Sequence, residues 1–301
     1  MNQGIRQAWA GLTERVVTAV VARPIRLSTL SAGLRRGLSI ALPYLRLALR
    51  TTALALAVLT GIVVLLVVAY RWVNPPLSTL MLGQRIAGTA IERTWVPLER
   101  MSPHLVRAVV MSEDGRFCSH GGVDWRALNE AIAHDRGGST ITMQVVKNLF
   151  LWPSRSYVRK FIELALAYMV ETFWPKRRIL EIYLNIAEWG DGVFGAEAAA
   201  QTHFSKAAAQ LTAVEAALLT VALPSPLERS PGQPSAGTSR LAERLLLRMG
   251  SSRTELTCLR PEAWSATRPG SPIAKSTPKG ETPVRKGAAK EDWDLLFPSS
   301  D

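Results

Sequence analysis

Thr51 to Tyr70 reads TTALALAVLTGIVVLLVVAY, twenty residues without a charge between Arg50 and Arg71. No other feature constrains the chain as strongly. At about 1.5 Å per residue such a helix extends roughly 30 Å, the thickness of a bilayer's hydrocarbon core. A buried soluble helix would share the composition, but the flanking arginines and the length favour a membrane span. A cleaved signal peptide fits poorly: the stretch starts late, and Trp72 and Pro75-Pro76 follow where small residues would be needed. Tyr70 and Trp72 suit an interfacial aromatic belt.

The charge pattern orients the span. The 301 residues carry a formal net charge of +12, and residues 1–50 hold eight arginines against one glutamate. A basic flank of this kind stays in the cytoplasm, which places everything after residue 71 beyond the inner membrane. That compartment lacks a nucleotide pool, which argues against ATP-driven and nucleic-acid chemistry. Within the basic segment, Ile40, Leu42, Leu45, Leu47 and Leu49 allow a surface-lying amphipathic helix or a disordered arm. Two cysteines rule out a disulfide-dense scaffold and a cysteine-based zinc site, and four scattered histidines offer no metal-ligand spacing. No metal site is expected.

The exported part reads as mainly α, without an internal repeat or a convincing run of alternating strands. Residues 71–100 look like a linker or lead-in. Ser102-Pro103 offers an N-cap and a proline at the first helical position for a helix over 104–113. Further helices are expected over 139–150, 155–172, 176–188, 212–223 and 241–249. Trp174-Pro175 and Gly190, Gly192 and Gly195 act as stops, and Thr212 with Glu215 forms a capping box. A folded domain over 101–250 results. Residues 251–301 are rich in Pro, Gly, Lys and Thr at their centre and read as a disordered tail. Ser276 and Lys279 match a Ser-x-x-Lys pattern there, but such a tail cannot build a packed site and no Lys-Thr-Gly follows.

Three groups of residues could carry chemistry. Glu163 is the one charge in FIELALAYMV, a costly placement unless it is paired or functional; Arg159, four residues earlier, is a ready ion-pair partner. Glu113-Asp114 ends an apolar stretch before Gly115, where a carboxylate either faces a substrate or sits on an ordinary surface; His120 and Asp124 lie nearby. GGSTIT, 137–142, leads into a helix with Gln144, Lys147 and Asn148. Its free backbone amides, with Lys147 two turns beyond Thr140, suit a phosphate-binding corner, although a helix start with a solvated lysine would look the same. It is not a P-loop.

Taken together, five ordered segments are recognisable. EDGRFCSHGGVDW (113–125), GGSTITMQVVKN (137–148), RKFIELALAYMVE (159–171), KRRILEIYLNIAEWG (176–190) and HFSKAAAQLTAVEAALLTVALPSP (203–226) resemble the five motifs of the peptidoglycan glycosyltransferases. The resemblance covers roughly residues 75–250. Only 74 residues follow residue 227, too few for a penicillin-binding transpeptidase domain, so the chain resembles the monofunctional branch. Met143 stands where the family usually has a first glutamine, and His203 where tyrosine is common; neither is a proposed acid, base or phosphate ligand.

The resemblance implies a lysozyme-like fold and polymerisation of lipid II into β-1,4-linked glycan with release of undecaprenyl pyrophosphate and inversion of configuration. It implies Glu113 as general base and Glu163 as a second essential carboxylate of open role. Lys147 and Arg159 would neutralise the pyrophosphate, with Ser139, Thr140, Gln144 and Asn148 as polar contacts, and Asp114, Phe117 and His120 would shape the site. No cofactor is required, though Mg²⁺ or Mn²⁺ assists some members at the pyrophosphate. Expected partners are lipid II, the growing strand, the inner membrane and wall-synthesis or division proteins, with no nucleic acid. Family members are blocked by moenomycin, a mimic of the donor strand. NLFLW, 148–152, is either a membrane-dipping edge or a core segment.

Two rivals remain at this point: a glycan-cleaving enzyme on a lysozyme-like fold, and a non-catalytic membrane scaffold. The first has no use for a pyrophosphate site. The second has no use for Glu113, Lys147, Arg159 and Glu163 together. Cys118 and Cys258 would meet an oxidising compartment, yet pairing is not readable from sequence, and free thiols are expected.

Overall fold

The computed structural model describes residues 32–133, 137–154, 156–251 and 256–259. It divides into two compact units, one ending at Ile62 and one beginning at Val63. The tail residues Ser276 and Lys279 lie outside the described residues.

The first unit contains most of helix α1, Ala32–Tyr70. The span therefore belongs to a longer helix than the uncharged stretch alone suggests, and residues 32–50 are helical too. Its apolar run, Ile40–Tyr70, reaches a mean hydropathy of 2.8 in its most apolar window. Leu54, Leu56, Val58, Leu59 and Ile62 are exposed. An exposed apolar column of this length suits lipid better than water.

The last residues of α1, from Val63, belong to the second unit. Val67 is fully buried, its carbonyl accepts a hydrogen bond from Trp174 Nε1 at 2.6 Å, and Tyr70 stacks on Phe150. Arg178 Nε donates to the Tyr70 carbonyl at 2.9 Å. Residues 71–100 do more than connect. They form α2, Thr79–Ile86, capped by Ser78, and β1, Glu92–Arg93, and they bury Met81, Val96 and Leu98. Short spacing between buried positions hid this contribution in the sequence.

The remaining helices are α3 (Pro103–Glu113), α4 (Trp125–Ala133), α5 (Ile141–Phe150), α6 (Tyr157–Phe173), α7 (Lys176–Ile186), α8 (Ala196–Phe204), α9 (Ala213–Ala222) and α10 (Ala236–Ser251). The mainly α expectation holds. The expected helix-start signals operate: Ser102 Oγ accepts from the His104 amide with Pro103 in the first turn, and Thr212 and Glu215 make the reciprocal capping box of α9. α7 is the centre of the core. Ile179, Leu180, Ile182, Leu184 and Ile186 are fully inaccessible, and so, within a per cent, is Tyr183. α5 and α6 pack together beside α7, while α9 packs between α3 and α10.

A small sheet, unforeseen because its strands are two or three residues long, lies beside the helices in the order β1-β3-β2. β2 is Glu188–Gly190 and β3 Val193–Phe194; β1 runs parallel to β3 and β2 antiparallel to it. The buried Asn185 amide bonds both the N–H and the carbonyl of Val96, which ties the lead-in to α7. At Gly192, φ is +71° and a Cβ would collide with the Ala90 carbonyl, so only glycine fits the turn.

The cysteines are not free. Cys118, in the short 3-10 turn Phe117–Ser119, is disulfide-bonded to Cys258, in the turn Thr257–Leu259. The C-terminal segment therefore returns to the core at least as far as Leu259, which is 2% exposed. Their separation of 140 residues gave no sequence signal.

Candidate active site

Elements distant in sequence meet around Glu113 and Lys147. It is the last residue of α3, and Asp114 is the C-cap. Gln144 and Lys147 lie three residues apart on α5 and so share a face. Arg159, Lys160 and Glu163 occupy the start of α6, and Tyr183 reaches in from α7.

The Glu113 carboxylate is half-buried. Gln144 Nε2 donates to its Oε2 at 3.1 Å, and the Gln144 Oε1 accepts from Tyr183 Oη at 3.0 Å. Ser112 Oγ lies 3.5 Å from the other oxygen. Burial raises the Glu113 pKa above the ordinary carboxylate range, assisted by the Asp114 charge and opposed by Gln144, Ser112 and Lys147. One side of Glu113 borders an open cleft of about 420 Å³, whose walls include Ser112, Arg116, Arg126, Ser139 and Arg248.

Asp114 has a different task. Its carboxylate accepts from His120 Nε2 at 2.8 Å and from the Ile141 backbone amide at 3.0 Å. Thr140, the N-cap of α5, accepts from the Met143 amide at 3.1 Å and donates to the Gly122 carbonyl at 2.6 Å. The start of α5 was expected to offer bare amides to an anion; the structure instead covers it with the protein's own Asp114 and Thr140. Thr140 is 3% exposed, and its hydroxyl is committed to these two bonds. Gly122 has φ +92°, and a Cβ there would sit 2.9 Å from the Ala167 carbonyl, so the close approach of this loop to α6 requires glycine.

Phe117 is fully buried, with His120 at its edge and Lys176 Nζ 4.5 Å above its ring. Lys176 also bonds Glu171 at 2.7 Å, and Glu171 accepts from Thr142 Oγ1 at 2.6 Å. Asp124 receives a two-point bond from Arg116 at 2.5 and 2.7 Å. Burial by itself would raise the Asp124 pKa; the Ala127 amide and Arg116 bring it below the ordinary value instead.

The second carboxylate is locked. Glu163 is 1% exposed, and its two oxygens take Arg159 Nη1 at 2.5 Å and Lys160 Nζ at 2.6 Å. The ion pair with Arg159 read from spacing is present. Arg159 Nε also donates to the Ser154 carbonyl at 2.6 Å, and Lys160 to Ser139 Oγ at 2.9 Å. Lys147 is exposed and makes no hydrogen bond or ion pair among the described residues. Although the residue as a whole is exposed, protein surrounds its ammonium closely enough to lower its pKa, with Arg159 and Lys160 pushing the same way and Glu163 and Glu113 opposing. Asn148 is half-buried on the next position of α5, with its carbonyl bonded to Thr79. Three cations around one carboxylate leave an excess of positive charge, with Lys147 unsatisfied: a place for a polyanion.

Sequence reading missed three contributors. Lys160 was visible in Arg-Lys-x-x-Glu but carried no assigned role. Glu171 and Tyr183 sit in apolar helical runs where nothing marks a site residue. Of the NLFLW edge, Leu149 and Leu151 are core, while Trp152 is 49% exposed.

Comparisons with known proteins show which family the chain is similar to. The family model described as Transglycosylase matches residues 81–250, more than half of the chain. A biosynthetic peptidoglycan transglycosylase of Rhodospirillum centenum is 51% identical over 214 residues, covering 69% of this chain and 93% of the relative. Proteins of the same name from Agrobacterium fabrum and Brucella suis are 49% and 45% identical, covering 61% and 71% of this chain and 84% and 98% of those relatives. With its helical domain, its enclosed Glu113 and its cationic cluster inside the matched region, the chain belongs to the transglycosylase family, a family of glycosyltransferases.

Proposed function

We propose that this enzyme polymerises lipid II, with the growing strand as donor and lipid II as acceptor. The observation that carries the reading is the juxtaposition of an enclosed, elevated-pKa carboxylate with a cluster of three cations, one of them unpaired. The acceptor's GlcNAc 4-hydroxyl attacks C1 of the donor MurNAc from the side of the open cleft. Glu113 takes the hydroxyl proton as the new C1–O bond forms. The old C1–O bond breaks with its electron pair moving to undecaprenyl pyrophosphate, and the α-linked donor becomes a β-link. A single displacement, with the hydroxyl entering on the face opposite the departing pyrophosphate, inverts configuration.

Pyrophosphate departs as an anion, so it needs charge more than a proton. Lys147 is the direct contact, and Arg159 and Lys160 supply the surrounding potential. Glu163 holds those two cations in register. The donor set does not fit a protein-held divalent cation, because both Glu163 oxygens are taken by cations and no group of three His, Cys, Asp or Glu among the described residues could hold one. Asn148 and Ser139 flank this cluster as polar contacts.

The chain is read as a single-pass inner-membrane protein with its N-terminus in the cytoplasm and its catalytic domain outside. The basic N-terminal flank supports that orientation. The Cys118–Cys258 disulfide supports an oxidising compartment. An anchored enzyme meets its lipid-linked substrate by diffusion in two dimensions.

Polymerisation of labelled lipid II by detergent-solubilised protein tests this, with Glu113→Gln beside it. Long strands from the wild type and a loss of about 10²–10⁴-fold in the variant are expected, the usual weight of a positioned base. Fragments released from finished peptidoglycan instead would establish cleavage. Folded wild-type protein with neither activity would establish a scaffold.

A further inference from the structure

We infer that Tyr183 is a positioning residue for the reaction: its hydroxyl fixes the Gln144 amide so that the amide N–H₂ faces the Glu113 carboxylate. The inference rests on the reading of Glu113 as the base.

A glutamine amide can present either end to a neighbour, and nothing in the side chain itself chooses. An ionised Glu113 accepts only, so the end facing it must be Nε2, as the 3.1 Å contact shows. That leaves Oε1 pointing at Tyr183, 3.0 Å away, where a protonated phenol is a donor. Tyr183 is held in that form. It is 1% exposed, and burial, followed by the nearby Glu113 and Asp114 charges, lifts its pKa well above the ordinary tyrosine value. The phenol therefore keeps a proton to give, and with the Gln144 N–H₂ end turned to Glu113 that proton goes to Oε1. The chain of donors runs one way, from Tyr183 through Gln144 to Glu113.

The position of Tyr183 makes this orientation durable. It sits midway along α7, whose neighbouring side chains Ile182 and Leu184 are fully buried, so the hydroxyl has no freedom to leave. The effect on Glu113 opposes that of burial. A donated N–H stabilises the carboxylate, whereas a turned amide would offer Oε1 and stabilise the protonated acid. Other charges acting on Glu113 are Asp114 at the end of its own helix and Lys147 on α5, and Arg116, Asp124, Arg126, Glu130 and Arg248 line the same cleft. None of them touches the Gln144 amide, so none can set its direction.

The test is Tyr183→Phe, which removes one oxygen and keeps the ring that fills the core. Two readouts are taken: the pH dependence of kcat and KM for lipid II polymerisation, and titration of the Glu113 carboxyl by ¹³C NMR in the resting full-length protein. The acid limb of kcat and the NMR titration should both move up by about one pH unit, a roughly tenfold loss of kcat below the limb. KM should stay within about twofold, because uniform substrate binding is untouched. A merely structural role would lower activity at every pH and leave the Glu113 titration in place; that result overturns the proposal.

Gln144→Met gives a second, independent arm that does not depend on Tyr183→Phe folding. It should raise the Glu113 titration by itself, and adding Tyr183→Phe to it should produce no further shift. A persistent further shift would overturn the relay. Failure of the base reading looks different: Glu113→Gln would retain polymerisation while the NMR shift in Tyr183→Phe survived. An inactive Glu113→Gln with an unmoved Glu113 titration in Tyr183→Phe would refute the relay and leave the base in place.

Discussion

The burial that suits Glu113 to its proposed role as base also makes it a burden to the fold. Its pKa is raised in the folded state, so the stability it contributes is present at low pH and lost as pH rises through the raised value. At neutral pH the enclosed charge is a net cost. Glu113→Gln should therefore melt higher than the wild type, by about 0.5–2 kcal/mol, while losing polymerisation; a thermal scan beside the activity assay checks both. The same shift predicts that kcat falls on acidification earlier than an ordinary glutamate would allow. Lys147→Ala belongs at this scale too. Lys147 has no hydrogen-bonded or ion-paired partner among the described residues, so its loss should leave the melting temperature nearly unchanged. It should cut kcat/KM on lipid II by about 10²-fold, as removal of a contact to a developing anion does. Glu163 differs from both. A sequence shows that a lone carboxylate in FIELALAYMV needs a partner, and Arg159 was legible as that partner; the second cation, Lys160, binds the other oxygen and completes the clamp. Tyr183 was not legible, because ILEIYLNI announces only a buried helix.

Among the elements, the helices with strong terminal chemistry were readable. Ser102-Pro103 and the Thr212–Glu215 box mark α3 and α9 to within a residue or two. α2, α4 and α8 escaped notice for physical reasons. α8 reads AEAAAQTHF, where alanines fill a tight core position without the large apolar residues that make a periodic stripe. The strands are too short for any alternation to register, and β1 pairs with β3 across roughly a hundred residues of sequence. What holds that sheet together is testable at its turn. Gly192→Ala places a methyl against the Ala90 carbonyl at a positive φ, and should cost about 1–3 kcal/mol. A denaturation curve reads this directly, and an unchanged midpoint would show that the turn can relax. The start of α5 teaches a related lesson. Gly-Gly-Ser-Thr does signal a helix N-terminus, but sequence cannot reveal that the chain has already supplied an anion to it. Asp114 fills that role, so the proposed contact to the substrate's negative charge falls further along the helix, to Lys147.

At the scale of the whole molecule, two long-range ties define the catalytic unit. The disulfide joins the loop after Glu113 to the segment that follows α10, closing a separation of 140 residues. Removing it by Cys118→Ser with Cys258→Ser should cost about 2–5 kcal/mol of stability, seen as a lower melting temperature that added reductant reproduces in the wild type and no longer affects in the variant. The second tie is the end of α1. Val67 fills a closed position in the core, Trp174 bonds its carbonyl, and Arg178 holds Tyr70. The membrane segment and the catalytic domain thus overlap in sequence, and no cut separates them cleanly. A chain beginning at Arg71 would be free of the apolar helix and yet lack a piece of its own interior, leaving a socket over Trp174 that invites aggregation. One beginning at Val63 would keep the interior and carry a short greasy stub into water. For this enzyme, the boundary that makes a fragment soluble and the boundary that lets it fold lie about two helical turns apart, so a water-soluble version needs polar substitutions on the outward face of residues 63–70 rather than their removal.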